Sequence, residues 1–132
     1  MYFTHTTSNT VFAWDYAPGD GSLSNERVFY QHDGPGWLDG FRVDLEGNIW
    51  HAVYGGARVI KISTAGKVLG EVRLPTRNIT CPEFVGTELF ITTAADDEDD
   101  QGGAQSREYG GGLFRVDVGV GGVPAFDFKP AA

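Results

Sequence analysis

Apolar residues along this chain come in short bursts that alternate with polar ones, and each burst is closed by glycine, proline, asparagine or aspartate. A period of two marks half-buried β-strands, and the closing residues are those that tight turns require. The clearest case lies within residues 35–63, where Phe41 to Asp44, Ile49 to Tyr54 and Arg58 to Ser63 are separated by Glu46-Gly47-Asn48 and Gly55-Gly56. This pattern predicts an antiparallel meander. Upstream, strands are expected at Met1 to Thr6, Thr10 to Tyr16 and Glu26 to Gln31, with turns at Ser8-Asn9 and Ala17-Pro18-Gly19-Asp20-Gly21. Downstream they are expected at Val68 to Leu74, Thr80 to Val85, Glu88 to Thr93, Gly112 to Val118 and Ala125 to Lys129. Almost no run carries the helical i, i+3, i+4 period, so the predicted class is all-β.

The strands recur. Asn9 to Asp15, Ala57 to Ser63 and Gly112 to Asp117 align as third strands, with 48 positions from Val11 to Val59 and 55 from Val59 to Phe114. Four strands at a period near 50 are the signature of a β-propeller blade. The units are residues 1–33, 36–75 and 78–130, and the first opens directly on an apolar strand, as a blade remnant without its first strand would. Closed propellers carry about four to eight blades, so about three predicts a partial propeller. Its unpaired edges would favour self-association with another copy. The third unit carries an insertion, residues 95–111, too polar and glycine-rich to pack, in which five consecutive acids, Asp96 to Asp100, lack the Asp-x-Asp-x-Asp-Gly spacing of a calcium loop. A solvated loop is expected there.

Composition narrows the partners. The 132 residues suit one domain, and a net charge of −8 with ten scattered Lys and Arg excludes a nucleic-acid partner or an anionic membrane surface. No apolar run is long enough to span a bilayer, and the start lacks the pattern of a secretory signal. One cysteine, Cys81, forms no internal disulfide, which makes a reducing, cytoplasmic setting the default.

Asp39 is the leading candidate for chemistry. It precedes the first strand of the middle unit and is followed by Gly40. In a propeller that position lines the central channel, where acids and amides from separate blades converge on one ion. The other reading is a turn-capping aspartate, since Asp-Gly is a strong turn pair. Cys81 beside Pro82 reads as a small core residue, and Glu83 suits either an inward position or a solvent-facing bulge. His5, His32 and His51 lack ligand-pair spacing and are expected to be hydrogen-bonded within blades. Trp14, Trp37 and Trp50 read as core or channel-mouth aromatics, and there is no nucleophile elbow, phosphate loop or paired-cysteine site.

Several stretches carry a family likeness: Tyr2-Phe3-Thr4, Asn9-Thr-Val-Phe-Ala-Trp-Asp-Tyr, Leu23-Ser-Asn-Glu-Arg-Val-Phe, Leu38-Asp39-Gly40-Phe-Arg-Val-Asp44, Gly47-Asn48-Ile-Trp50, Gly55-Gly56-Ala-Arg-Val-Ile and Gly111-Gly112-Leu-Phe-Arg-Val-Asp-Val-Gly119. In this order they resemble the C-terminal half of the regucalcin/gluconolactonase (senescence marker protein) family. The resemblance implies a six-bladed propeller, one divalent cation (calcium, zinc, manganese or magnesium) in its channel, and hydrolysis of small sugar lactones or related esters. In that family the metal is held by a Glu near the N-terminus, an Asn about mid-chain and the Asp of a Pro-Asp-Gly segment. The last matches Leu38-Asp39-Gly40, so Asp39 inherits the roles of metal ligand and general base. Leu38 stands where the family has Pro, His5 where it commonly has Asp, and the other two ligands have no counterpart here. The expected function is therefore that of part of a metal-dependent lactone hydrolase, inactive as this segment alone. The rival is a non-enzymatic propeller segment that acts as a binding or assembly module.

Overall fold

The computed structural model describes residues 1–97 and 102–126. Its strands are β1 (Tyr2–His5), β2 (Thr10–Tyr16), β3 (Leu23–Gln31), β4 (Trp37–Val43), β5 (Ile49–Tyr54), β6 (Arg58–Ile62), β7 (Val68–Arg73), β8 (Ile79–Val85), β9 (Glu88–Thr93) and β10 (Leu113–Asp117), with one helix, α1 (Gly103–Tyr109). They form three antiparallel sheets in the orders β1-β2-β3, β4-β5-β6-β7 and β10-β9-β8. Every neighbour within a sheet is also a neighbour in sequence, as hairpin-connected meanders require.

The middle sheet is buried on both faces, and alternation along its strands explains how. Ile49, Val53, Ile60 and Ile62 join Val11 and Leu38 in one core cluster against the first sheet. Trp50, Ala52 and Val59 join Ile79, Leu89 and Ile91 in a second cluster against the third sheet. Successive residues of β5 thus point into different cores, and residues 49–53 are all buried. Sheets stacked face to face in this way make an arc of propeller blades.

Turn chemistry fixes the hairpins. Asp44 is fully buried between β4 and β5, where its carboxylate accepts from the Glu46 and Asn48 amides (3.0 and 2.8 Å) and from the Trp50 indole (2.9 Å). Lys61 lies 3.3 Å from the same carboxylate and 5.1 Å over the Trp50 ring. Burial alone would push the Asp44 carboxyl up, but the Trp50, Asn48 and Lys61 contacts outweigh it and hold the pKa below 3.8.

Three expectations are corrected. The strand predicted at Phe41 to Asp44 begins earlier, so Asp39 lies inside β4 and not ahead of it. The inserted stretch is not wholly unpacked: its polar α1 buries Ser106, whose hydroxyl accepts from the Arg77 amide at 2.9 Å, and Asp96 is also buried. No strand covers residues 125–126, and the rest of the strand expected at Ala125 to Lys129 lies outside the described residues, as do residues 98–101 of the acidic run. Among the described residues no helix is long and apolar enough to cross a membrane.

Candidate functional site

β4 and β8 are the terminal strands of their sheets on the side where the middle and third sheets meet, and both are interrupted there. The β4–β5 register breaks between Leu38 and Phe41, so Asp39 and Gly40 form a bulge. The β8–β9 register breaks between Ile79 and Cys81, leaving Thr80 in the equivalent place. The two bulges abut. A Cβ on Gly40 would sit 2.6 Å from the Cys81 sulfur and 2.8 Å from the Thr80 carbonyl oxygen, closer than real contacts allow, so only glycine lets the strands approach. Bulges re-aim side chains, and this one moves the core-facing positions of β4 from Leu38 before it to Phe41 and Val43 after it, leaving Asp39 on the exposed side.

Asp39 then faces an open cleft of about 530 Å³ lined by Thr4, Asp39, Gly40, Phe41, Arg42, Val43, Cys81 and Val123. Partial burial raises its carboxyl pKa above 3.8, with no hydrogen bond or neighbouring charge contributing to the shift. The residue as a whole remains exposed, so the shift reflects the cleft wall on one side of the carboxyl and not burial in a core.

The other walls are neutral or self-compensated. Arg42 pairs with Glu83 at 2.6 Å, with both side chains close to half exposed. Glu83 is thus a surface ion-pair partner, and the bulge of β8 falls at Thr80, upstream of Pro82-Glu83. Cys81 is a half-buried free thiol that burial pushes above its ordinary pKa, the opposite of an activated nucleophile. Thr80 and Thr92 share a 2.7 Å hydroxyl hydrogen bond.

All three histidines have polar partners within the protein. His51 is fully buried; its Nδ1–H donates to the Ala52 carbonyl at 3.1 Å and its Nε2 accepts from the Thr4 hydroxyl at 2.7 Å. Burial lowers its pKa from 6.5 to about 4, so it is neutral at pH 7. His32 meets the Tyr30 hydroxyl at 3.1 Å, and His5 the Ser8 hydroxyl at 2.9 Å. Trp50 lies in the core, whereas Trp37 is 53% exposed.

A divalent cation of the calcium type takes six to eight oxygen ligands. Among the described residues no group of three His, Cys, Asp or Glu side chains could hold a metal ion. Asp39 is an oxygen donor at the cleft, and no second carboxylate or histidine joins it in such a group among the described residues. Residue spacing places the counterpart of Asp39 near Asn78 to Glu83, and the bulge falls within that stretch at Thr80; it did not bring forward Asn9, which bonds to positions 36 and 38. A turn asparagine carries no ligand pattern in a single sequence.

Three antiparallel sheets stacked face to face define an arc of a β-propeller. The family description SMP-30/Gluconolactonase/LRE-like region matches residues 1–95, and the chain belongs to that family. Among its relatives, pentonolactonase XacC of Haloferax volcanii is 36% identical, over 96% of this chain and 46% of its own length. Regucalcin of Sus scrofa is 36% identical, over 97% of this chain and 44% of its own. A luciferin-regenerating enzyme superposes with a TM-score of 0.82 at 34% identity, over 93% of this chain and 43% of that one. A calcium-binding regucalcin from Agrobacterium tumefaciens superposes with a TM-score of 0.78 at 26% identity, over 96% and 43%. The chain thus spans under half the length of each of these relatives.

Proposed function

We propose that this chain forms the Asp39-bearing arc of a channel in which a small sugar lactone or related ester is hydrolysed, Asp39 serving as one ligand of a divalent cation and as base toward the attacking water. The observation that carries this reading is the placement of the carboxylate: Asp39 sits in an inner-strand bulge and lines the cleft, exposed to it, with its pKa raised by the cleft wall beside it. Two relatives support it by name, one as a lactonase and one as a calcium-binding protein. A bound cation would supply polarisation of the lactone carbonyl. The chain's own part is simpler. The ionised Asp39 carboxylate orients a water molecule in the cleft and accepts its proton as the oxygen attacks the carbonyl carbon; the ring C–O bond then breaks and the proton passes from Asp39 to the departing ring oxygen, giving the open hydroxy acid and restoring the carboxylate. The neutral walls, Thr4, Phe41, Val43 and Cys81, leave that carboxylate as the dominant charge on its side of the cleft. Since the described residues bring no full donor set together, hydrolysis is assigned to a completed ring and is not expected of the 132 residues alone.

The ligand role is tested on the chain itself with Mn²⁺, whose unpaired electrons broaden nearby amide signals. At about millimolar Mn²⁺, the Gly40, Phe41 and Cys81 amides should broaden first, and Asp39→Asn should abolish this. Broadening that begins in the acidic run 96–100 and ignores Asp39→Asn would overturn the assignment.

A further inference from the structure

We infer that Asn9, on the first sheet, is a positioning residue for Asp39 on the second. The inference rests on the reading of Asp39 given above. Asn9 follows the 3-10 turn Thr6–Ser8 and adopts a left-handed conformation, φ 53°, with its amide donating to the Thr6 carbonyl at 2.9 Å. Asparagine is among the few side chains that accept this conformation. The geometry carries the carboxamide across the sheet boundary. Its Nδ2 donates to the Gly36 carbonyl at 2.9 Å, and its Oδ1 accepts from the Leu38 amide at 2.7 Å. The two bonds bracket Trp37 and end one residue before Asp39.

That location matters because the ladder gives Asp39 no support of its own. The β4–β5 register is lost from Leu38 until Phe41, so the bulge is only as well placed as its two ends. At the C-terminal end, Gly40 is wedged against Cys81 and Thr80. At the N-terminal end, Leu38 is fully buried and its amide is held by Asn9. Gly36 has no slack either, since a Cβ there would lie 2.7 Å from the Tyr54 carbonyl oxygen. The Asn9 main chain is itself anchored, its carbonyl accepting from the His32 amide at 2.9 Å. One carboxamide therefore transmits the position of the first sheet to the residue that precedes the proposed ligand. Groups that orient a ligand in this way typically contribute about 10–100-fold to metal affinity.

The test compares Asn9→Gly, which keeps the left-handed turn but removes the carboxamide, with Asn9→Asp, which keeps an acceptor for the Leu38 amide. Amide exchange and Mn²⁺ titration are both read on the whole chain. In Asn9→Gly the Leu38 amide should exchange about tenfold faster, the equivalent of one lost hydrogen bond, while the Ile60 and Ile62 amides keep their wild-type rates. Mn²⁺ affinity at Gly40 should fall about tenfold or more. Asn9→Asp should keep the Leu38 amide protected. Unchanged Leu38 exchange, or equal acceleration across the core, would overturn the inference. If Asp39→Asn loses Mn²⁺ and Asn9→Gly does not, the Asp39 reading stands and the role of Asn9 alone fails. If Asp39→Asn binds Mn²⁺ as the wild type does, the Asp39 reading fails and takes the role of Asn9 with it.

Discussion

Gly40 has no room for a methyl group, because the space is filled by Cys81 and by the Thr80 main chain. Backbone cannot retreat as a flexible side-chain tip can, so Gly40→Ala should cost about 1–3 kcal/mol of stability. Chemical denaturation measures this directly, and an unchanged midpoint would show that β4 and β8 do not meet this closely. The pairing Asp39-Gly40 was legible in the sequence, though for a different reason. A turn-capping Asp-Gly was the competing expectation, and the structure places the pair in a strand bulge, where glycine answers to crowding from a neighbouring sheet. Such crowding involves residues about forty positions away and leaves no local trace. Asn9 was missed for a similar reason: as part of Ser8-Asn9 it explains itself as a turn residue, while its carboxamide bonds to positions 36 and 38 exist only once the sheets stack.

At the scale of elements, legibility followed the alternation. β5 and β9 fall where apolar period and turn residues predict them, at Ile49–Tyr54 and Glu88–Thr93. β4 was shortened in prediction because the bulge breaks the period at its functional end, leaving only its regular C-terminal part recognisable. α1 was not foreseen because it packs through polar atoms, Ser106 to Arg77 and Thr76, and an apolar period cannot report such contacts. Two contacts between elements also set the pH response. His51 binds β5 to β1 through Thr4 and stays neutral down to about 4, whereas an unfolded histidine gains its proton near 6.5. The unfolded chain therefore binds more protons in this window, so stability should fall by about 3 kcal/mol as pH drops from above 6.5 to 4. Asp44, which closes the β4–β5 turn, acts lower. Its folded pKa is depressed, so its contribution is present above 3.8 and is lost as pH falls further, through the folded value. Urea melts across pH 3 to 8 should show both phases, and His51→Gln should flatten only the upper one; a flat profile above pH 4 in the wild type would contradict the buried neutral histidine.

For the whole molecule, the sheet that is best buried is also the one that carries Asp39. The middle sheet has a core on each face, and this fixes β4 with Asp39 on the cleft. Among the described residues β1 and β10 are the last strands of their sheets. Those edges are where further blades, or another copy, would pair. The family was legible because its motifs are turn and strand-end residues that recur in order. The most direct measurement completes the ring, by replacing the corresponding 46% of the Haloferax volcanii pentonolactonase with this chain and following lactone hydrolysis. The completed, folded ring should open a pentonolactone, and Asp39→Ala should lower kcat by about 100-fold or more, as expected on removing a base. A folded ring that does not hydrolyse the lactone, or one whose activity is untouched by Asp39→Ala, would contradict the placement of the chemistry at the β4 bulge.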